Sequence, residues 1–405
     1  MAPSARLWLI VVAIVCGLYG LFCAAVYAVN FSKQPWQDWM VYYTAARAYL
    51  DGNLPLIFDG ERFTAQMNAA FADWLPQPLT FHPWLYPPPY LLLLIPFGLL
   101  PFATACVVFL TVTFACLLAA VWGMVESGYR RWLHAFSLIL APAVWFNIGS
   151  GQNAFLTSAL LVGGFGLLAR RPVLAGILLG LLSYKPQLWL LAPVALVAAR
   201  QWRALGSAIA AASVIVLGSL AVFGLEPWRV WVAWFIDAPP EIYQTWLQWG
   251  RIHGESIYAN LVLVGASHGL ATAGQNVATL LAALCVWWCY RRAMPDDLRL
   301  AVLLAAAMLA APHVTNYDAV LLVVAATLVF AYGLDHGFGH FGLVVPMAVW
   351  MIQLFNPPHE YRIGLITPLL TVALIACAIA AARSAPVLSP APILERPGRA
   401  MRAGL

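Results

Sequence analysis

Long apolar runs separated by short polar segments repeat along nearly the whole chain. Runs of this kind predict membrane-crossing helices, because about 20 apolar residues span a hydrocarbon core of roughly 30 Å. The pattern places spans over Leu7–Val29, Phe102–Val125, Trp132–Ile148, Phe155–Ala169, Pro172–Tyr184, Leu188–Ala199 and Leu205–Phe223. Further spans follow over Ala271–Tyr290, Leu298–Ala311, Tyr317–Tyr332, Phe341–Phe355 and Ile363–Ala382, giving about twelve in all. Two apolar pieces, Tyr86–Pro101 and Ser256–Ser267, are too short to cross, and the first is bounded by prolines. They are read as half-helices dipping into the outer leaflet, where freed backbone groups must face protein or a wet cavity.

The arginines orient the spans, since cytoplasmic loops carry the excess of Lys and Arg. Starting from Arg6 inside, alternation brings Arg130, Arg131, Arg170, Arg171, Arg200, Arg203, Arg291, Arg292 and Arg299 to the same side. Both lysines, Lys33 and Lys185, and the chemically richer loops then fall on the outer face. The expected architecture is an all-α polytopic membrane protein, one transmembrane domain over residues 1–383 and a disordered, proline-rich cytoplasmic tail over 384–405.

Composition narrows the class. Hydrophobic residues make up 63% and charged residues 9% of the 405, with a mean hydropathy of +0.83, which excludes a soluble domain. The net charge of +5 comes from dispersed arginines, so no nucleic-acid partner is expected. All seven cysteines fall in apolar stretches with no CxxC or Cys/His spacing, which points to packing and not to metal or redox chemistry.

Candidate chemistry gathers in the outer loops, beginning with Asp38 just past the first span in QPWQDWMVYYTAARAYL. A carboxylate held at the interface by Trp36, Trp39, Tyr42 and Tyr43 is a candidate acid or base; the alternative is a cap on a helix beginning near Tyr42. Lys185, in the turn Tyr184-Lys185-Pro186-Gln187, suits an anionic headgroup, or else snorkels to the outer surface. His313, Tyr317 and Asp318 either contact a phosphate or sugar or satisfy the start of a span. Gln152 and Asn153, after Gly149 and Gly151, fit either sugar hydroxyls or a tight turn. The acids and tryptophans between Leu225 and Glu255 could stack on carbohydrate, but the balance favours plain interfacial anchors.

Five segments, QDWMVYY, FHPWLYPPPYLLLLIPFGLLP, GQNAFLTSALL, AGILLGLLSYKPQLWLLAP and APHVTNYDAVLL, in that order, resemble the polyprenol-phosphate-dependent glycosyltransferases of family 87, relatives of the phosphatidylinositol mannoside mannosyltransferases. The resemblance implies a GT-C type membrane fold, a polyprenyl-phosphate sugar donor, and inverting transfer on the outer face of the cytoplasmic membrane; the acceptor differs among members and does not carry over, and a glycolipid or glycan is expected in that role. It also implies Asp38 as the catalytic aspartate; from their place in the outer-face segments, Tyr42, Tyr43, Tyr86, Gln152, Asn153, Gln187, Tyr317 and Asp318 are expected around the substrates.

Transfer from a lipid phosphate needs a base for the acceptor hydroxyl, supplied by Asp38, and cations for the departing phosphate, supplied by Lys185 and His313. No metal and no other cofactor is expected, because the matched segments hold no carboxylate cluster. Besides donor and acceptor, only membrane lipids are expected as partners. Two other classes compete. A transporter or flippase would carry polar residues at mid-span, yet Phe102–Val125 and Leu205–Phe223 contain no charge. A non-catalytic scaffold would leave Asp38 replaceable.

Overall fold

The computed structural model describes residues 36–125, 128–236, 254–337, 342–352 and 366–384, with Val11, Val15, Leu18 and Phe22 as single positions. The first expected span, the segment 237–253, the turn 356–362 and the tail lie outside the described residues. Those described are helical, and their only strand-like pairing is an isolated antiparallel bridge between Gly254 and Thr315.

Two helices, Asp296–Ala310 and Val320–His336, form the centre. Leu300 to Ala310 and Val320 to Leu334 are buried without a break, so these helices are apolar all round because protein surrounds them. Packed outside are the pair Phe102–Met124 with Ala154–Leu167, the pair Pro172–Leu181 with Trp202–Phe223, and the helices His268–Tyr290 and Ile366–Ser384. The outer helices remain apolar on their exposed flanks, as Val214, Leu217, Val277, Leu280 and Leu284 show. Apolar surface on both the inside and the outside of a bundle is the signature of lipid as solvent. Helix contact in that solvent depends on close packing by small residues. A Cβ on Gly176 would come within 2.1 Å of the Ala204 carbonyl oxygen, and one on Gly180 within 2.4 Å of that of Ala208, so these two glycines let the second pair touch backbone to backbone.

Five described helices are long and apolar enough to cross a membrane, and a bent pair raises this to six. The expected span Trp132–Ile148 is that pair: Tyr129–Leu140 and Pro142–Ser150 meet at 49°, because Pro142 cannot donate to the preceding turn. In place of the expected spans Phe155–Ala169, Pro172–Tyr184 and Leu188–Ala199 stand helices of only 10–17 residues, Ala154–Leu167, Pro172–Tyr184 and Pro186–Ala198, and the last two are broken apart at Lys185–Pro186. The half-helix expected at Tyr86–Pro101 is present as Pro88–Leu94 continued by a 3-10 turn, Ile95–Leu99. The second expected half-helix, Ser256–Ser267, is a single short helix, Ile257–Leu263. At 1.5 Å per residue neither reaches across roughly 30 Å.

Candidate active site

The Asp38 helix begins at Gln37, earlier than the expected start near Tyr42, and Asp38 sits in its first turn without capping it. The chain enters through Trp36 in the left-handed region, φ 63° and ψ 39°, an uncommon conformation for a bulky residue. It is held there by a hydrogen bond from the Trp36 N–H to the Gly149 carbonyl, 2.9 Å. One turn on the opposite side completes the grip. Gly151 has φ +72°, and a Cβ on it would stand 2.6 Å from the Cβ of Trp39. Only glycine allows both the turn and the approach, and that turn delivers Gln152 and Asn153 beneath the Asp38 helix.

The third contributor is the break between two short apolar helices, where Lys185 precedes Pro186. The fourth is the loop between the two central helices. It is pinned by the hydrogen bond from the Glu255 N–H to the Val314 carbonyl, 2.8 Å, and closed by a capping box between Thr315 and Asp318.

These four pieces meet in one hydrogen-bonded chain. Lys185 Nζ donates to Asp318 Oδ1 at 2.5 Å and to Asn153 Oδ1 at 3.1 Å. Asn153 Nδ2 donates to the Tyr42 hydroxyl at 3.3 Å, and that hydroxyl donates to Gln152 Oε1 and lies 2.8 Å from the hydroxyl of Tyr86. Gln152 Nε2 donates to the Tyr317 hydroxyl at 3.1 Å, and the Gln152 side chain also faces Asp38. The second oxygen of Asp318 accepts from the Thr315 N–H at 3.2 Å. Lys185 is 3% exposed and Asp318 2%, so Lys185 does not snorkel; its charge is answered inside the protein. Burial works against the ammonium, but Asp318 outweighs it and holds the Lys185 pKa above its ordinary value.

Asp38 stands at the accessible edge of this chain, together with Tyr86 and Tyr317, while Tyr42, Gln152, Asn153, Lys185 and Asp318 form a buried floor; His313 is exposed on the same loop as Tyr317 and Asp318. Burial lifts the Asp38 carboxyl to about 6, against the opposing pull of Gln152 and Lys185 and with Asp318 adding to the rise. Surrounding protein pushes the His313 imidazole down to about 4 although the ring opens to solvent. His313 is thus neutral near pH 7, so of the two cations expected for the phosphate, Lys185 and His313, Lys185 alone carries a standing charge.

Aromatic rings that the sequence reading passed over wall the site. Trp84 stacks on Tyr90, 6.0 Å between centroids, and Tyr90 on Tyr184 at 4.9 Å, while Tyr42 meets Trp84, Tyr86 and Tyr90 edge-on. The Tyr184 hydroxyl is 2.8 Å from that of Thr157. The signal is present as aromatics flanking the proline run Pro87–Pro89, Trp84 and Tyr86 before it and Tyr90 after it. Tyr43 is not brought to the site: one residue on from Tyr42 it turns about 100° around the helix, donating to the Leu100 carbonyl and packing on Phe102. Gln187 lies on the next helix, partly buried, and joins none of these bonds. Of the tryptophan-rich segment, Trp228 donates to Ser219 Oγ and Trp231 to the Leu85 carbonyl, contacts that anchor the Glu226–Ile236 helix. Among the described residues no three His, Cys, Asp or Glu are grouped to hold a metal ion.

A polytopic helical membrane protein with a carboxylate, an ion pair and an aromatic wall gathered around one hydrogen-bonded chain has the makings of a membrane enzyme. Residues 84–312 match glycosyltransferase family 87, and the chain belongs to that family: it is a membrane glycosyltransferase. The match takes in Trp84, Tyr86, Gln152, Asn153 and Lys185, whereas Asp38, Tyr317 and Asp318 lie outside it and join the site through the fold. No curated protein and no solved structure matches the chain.

Proposed function

We propose that the enzyme transfers a hexose of mannose type from a polyprenyl-phosphate sugar to a hydroxyl of a glycolipid or glycan acceptor, inverting the anomeric carbon, at the outer face of the bacterial cytoplasmic membrane. The observation that carries this reading is Asp38, a carboxylate at the open edge of a buried polar floor with its pKa lifted to about 6. At pH 7 such a group is mostly ionised, yet it is more basic than an ordinary aspartate, the condition that suits a general base. The acceptor oxygen bonds to the anomeric carbon as the bond from that carbon to the phosphate oxygen breaks. The acceptor proton passes to Asp38, and the electron pair leaves on polyprenyl phosphate.

The leaving phosphate is placed against Lys185 and His313. Two of the three ammonium protons of Lys185 are committed to Asp318 and Asn153, which leaves one for the donor. His313, neutral in the empty site, gains a proton when a phosphate comes near, because an adjacent anion favours the charged imidazole. Tyr86 and Tyr317, partly accessible beside Asp38, are suited to sugar hydroxyls, and the ring wall of Trp84, Tyr90 and Tyr184 backs them.

The test is a donor comparison. Purified protein is given a polyprenyl-phosphate hexose or the matching nucleotide sugar, with membrane glycolipids as acceptor, and products are followed by mass spectrometry. Product from the lipid-linked donor alone is expected; equal use of the nucleotide sugar would overturn the proposal.

A further inference from the structure

A second polar feature lies at the other end of the same helices. Ala154–Leu167, Pro172–Tyr184 and Pro186–Ala198 each have one end at the Asn153–Lys185 floor. Their other ends meet about 20 Å away, from the rise of 1.5 Å per residue. There a cavity of about 460 Å³ is lined by Leu168, Pro172, Arg200, Gln201, Trp202 and Arg203, with Arg170 and Arg171 in the adjoining turn.

The charge of this pocket is unanswered. The ion pairs among the described residues involve Arg47, Arg62, Arg130, Lys185, Arg229 and Arg299, and none involves Arg170, Arg171, Arg200 or Arg203, all four of which are exposed. Two helices, Pro172–Leu181 and Trp202–Phe223, also start here with no side-chain cap, so their free N–H groups add positive potential to that of the arginines. Below the pocket the flanks turn apolar at once, with Val173, Leu174 and Ile177 exposed on one helix and Ile209 on the other. Trp202, 60% exposed at the boundary, is the residue type that marks headgroup depth.

A cationic pocket that opens onto an apolar flank has the form of a lipid: a charged head above a hydrocarbon tail. We propose that this pocket binds the phosphate headgroup of an anionic phospholipid in the leaflet opposite the Asp38 site, with the acyl chains lying along the Pro172–Leu181 and Trp202–Phe223 helices. A free phosphate would use the arginines but leave the apolar flank without a role, which is why the lipid is favoured. The juxtaposition also links the bound lipid to the site, because the helices that frame the pocket carry Asn153 and Lys185 at their far ends.

The test counts lipids retained by the purified full chain in native mass spectrometry, with phosphatidylglycerol, phosphatidylcholine and inorganic phosphate as separate arms. One tightly held phosphatidylglycerol is expected, with phosphatidylcholine held at least tenfold more weakly. Arg200→Gln/Arg203→Gln should lower retention of phosphatidylglycerol by about tenfold or more, since each basic side chain near an anionic headgroup carries a comparable share of the attraction. Arg291→Gln/Arg292→Gln removes the same charge elsewhere and should change retention less than twofold. All four positions are exposed or at a helix end, so folding is preserved, and monodisperse elution verifies it. Equal retention of phosphatidylcholine, an equal loss in the control pair, or displacement of the lipid by inorganic phosphate at matched concentration would each overturn the proposal.

Discussion

Asp38→Asn should stabilise the protein at neutral pH while it destroys activity. In the folded chain the Asp38 carboxyl titrates at about 6, against an ordinary value of 3.8. The folded state therefore resists ionisation of this group. Below the ordinary value both states hold the proton and there is no penalty. As pH rises from about 4 to about 6 the unfolded chain gives up its proton first, and folding stability falls. Above both values the penalty is complete, and at 1.36 kcal/mol per pKa unit it is about 3 kcal/mol. The partial accessibility of Asp38 lets solvent screen some of this, so about 1–3 kcal/mol is the working range. Asparagine keeps the shape and cannot ionise, so the variant escapes the penalty. Thermal melting of both proteins in one detergent from pH 4 to pH 8 reads the effect. The curves should meet near pH 4, and the variant should melt higher by a few degrees above pH 7. A variant less stable than wild type at pH 7, or a gap that widens toward acid, would refute the reasoning that burial drives the shift.

Lys185→Ala leaves Asp318 buried and uncompensated, and should cost about 3–5 kcal/mol together with most donor use. Lys185→Arg, which keeps the charge, should lose less, and equal donor affinity in all three proteins would remove Lys185 from the site. Gly151→Ala places a Cβ 2.6 Å from that of Trp39 at φ +72°, so a loss of about 1–3 kcal/mol, with transfer falling in step, is expected from melting and turnover measured together. Wild-type behaviour of that variant would show that the turn does not set the Asp38 helix.

Much of the site was readable because its parts are local: Lys185 before Pro186, Gln152–Asn153 after Gly151, and Tyr317–Asp318 at a span start each announce a polar interruption in apolar sequence. What sequence alone could not give is who answers whom. Lys185 and Asp318 stand 133 residues apart, so Lys185 read as an unpaired cation, whereas the fold makes it one half of a buried pair. Asp318 closes the start of its helix, one of the two roles weighed for it, and it also binds Lys185, a pairing that neither role contains. The span count was the weaker part. Hydropathy registers an apolar stretch but not the 49° bend that Pro142 introduces, nor that 172–184 and 186–198 are short helices meeting at a buried lysine. Tyr42 and Tyr43, adjacent in sequence and both expected around the substrates, are separated by helical rotation.

The most direct test of the central claim is turnover by Asp38→Asn with a polyprenyl-phosphate hexose and a glycolipid acceptor, set beside Asp51→Asn. Asp51 is an exposed partner of Arg47, and its variant should keep near wild-type turnover. The Asp38 variant should lose about two orders of magnitude or more in transfer, with donor binding nearly intact. Near-full transfer by Asp38→Asn would contradict the assignment of Asp38 as the base.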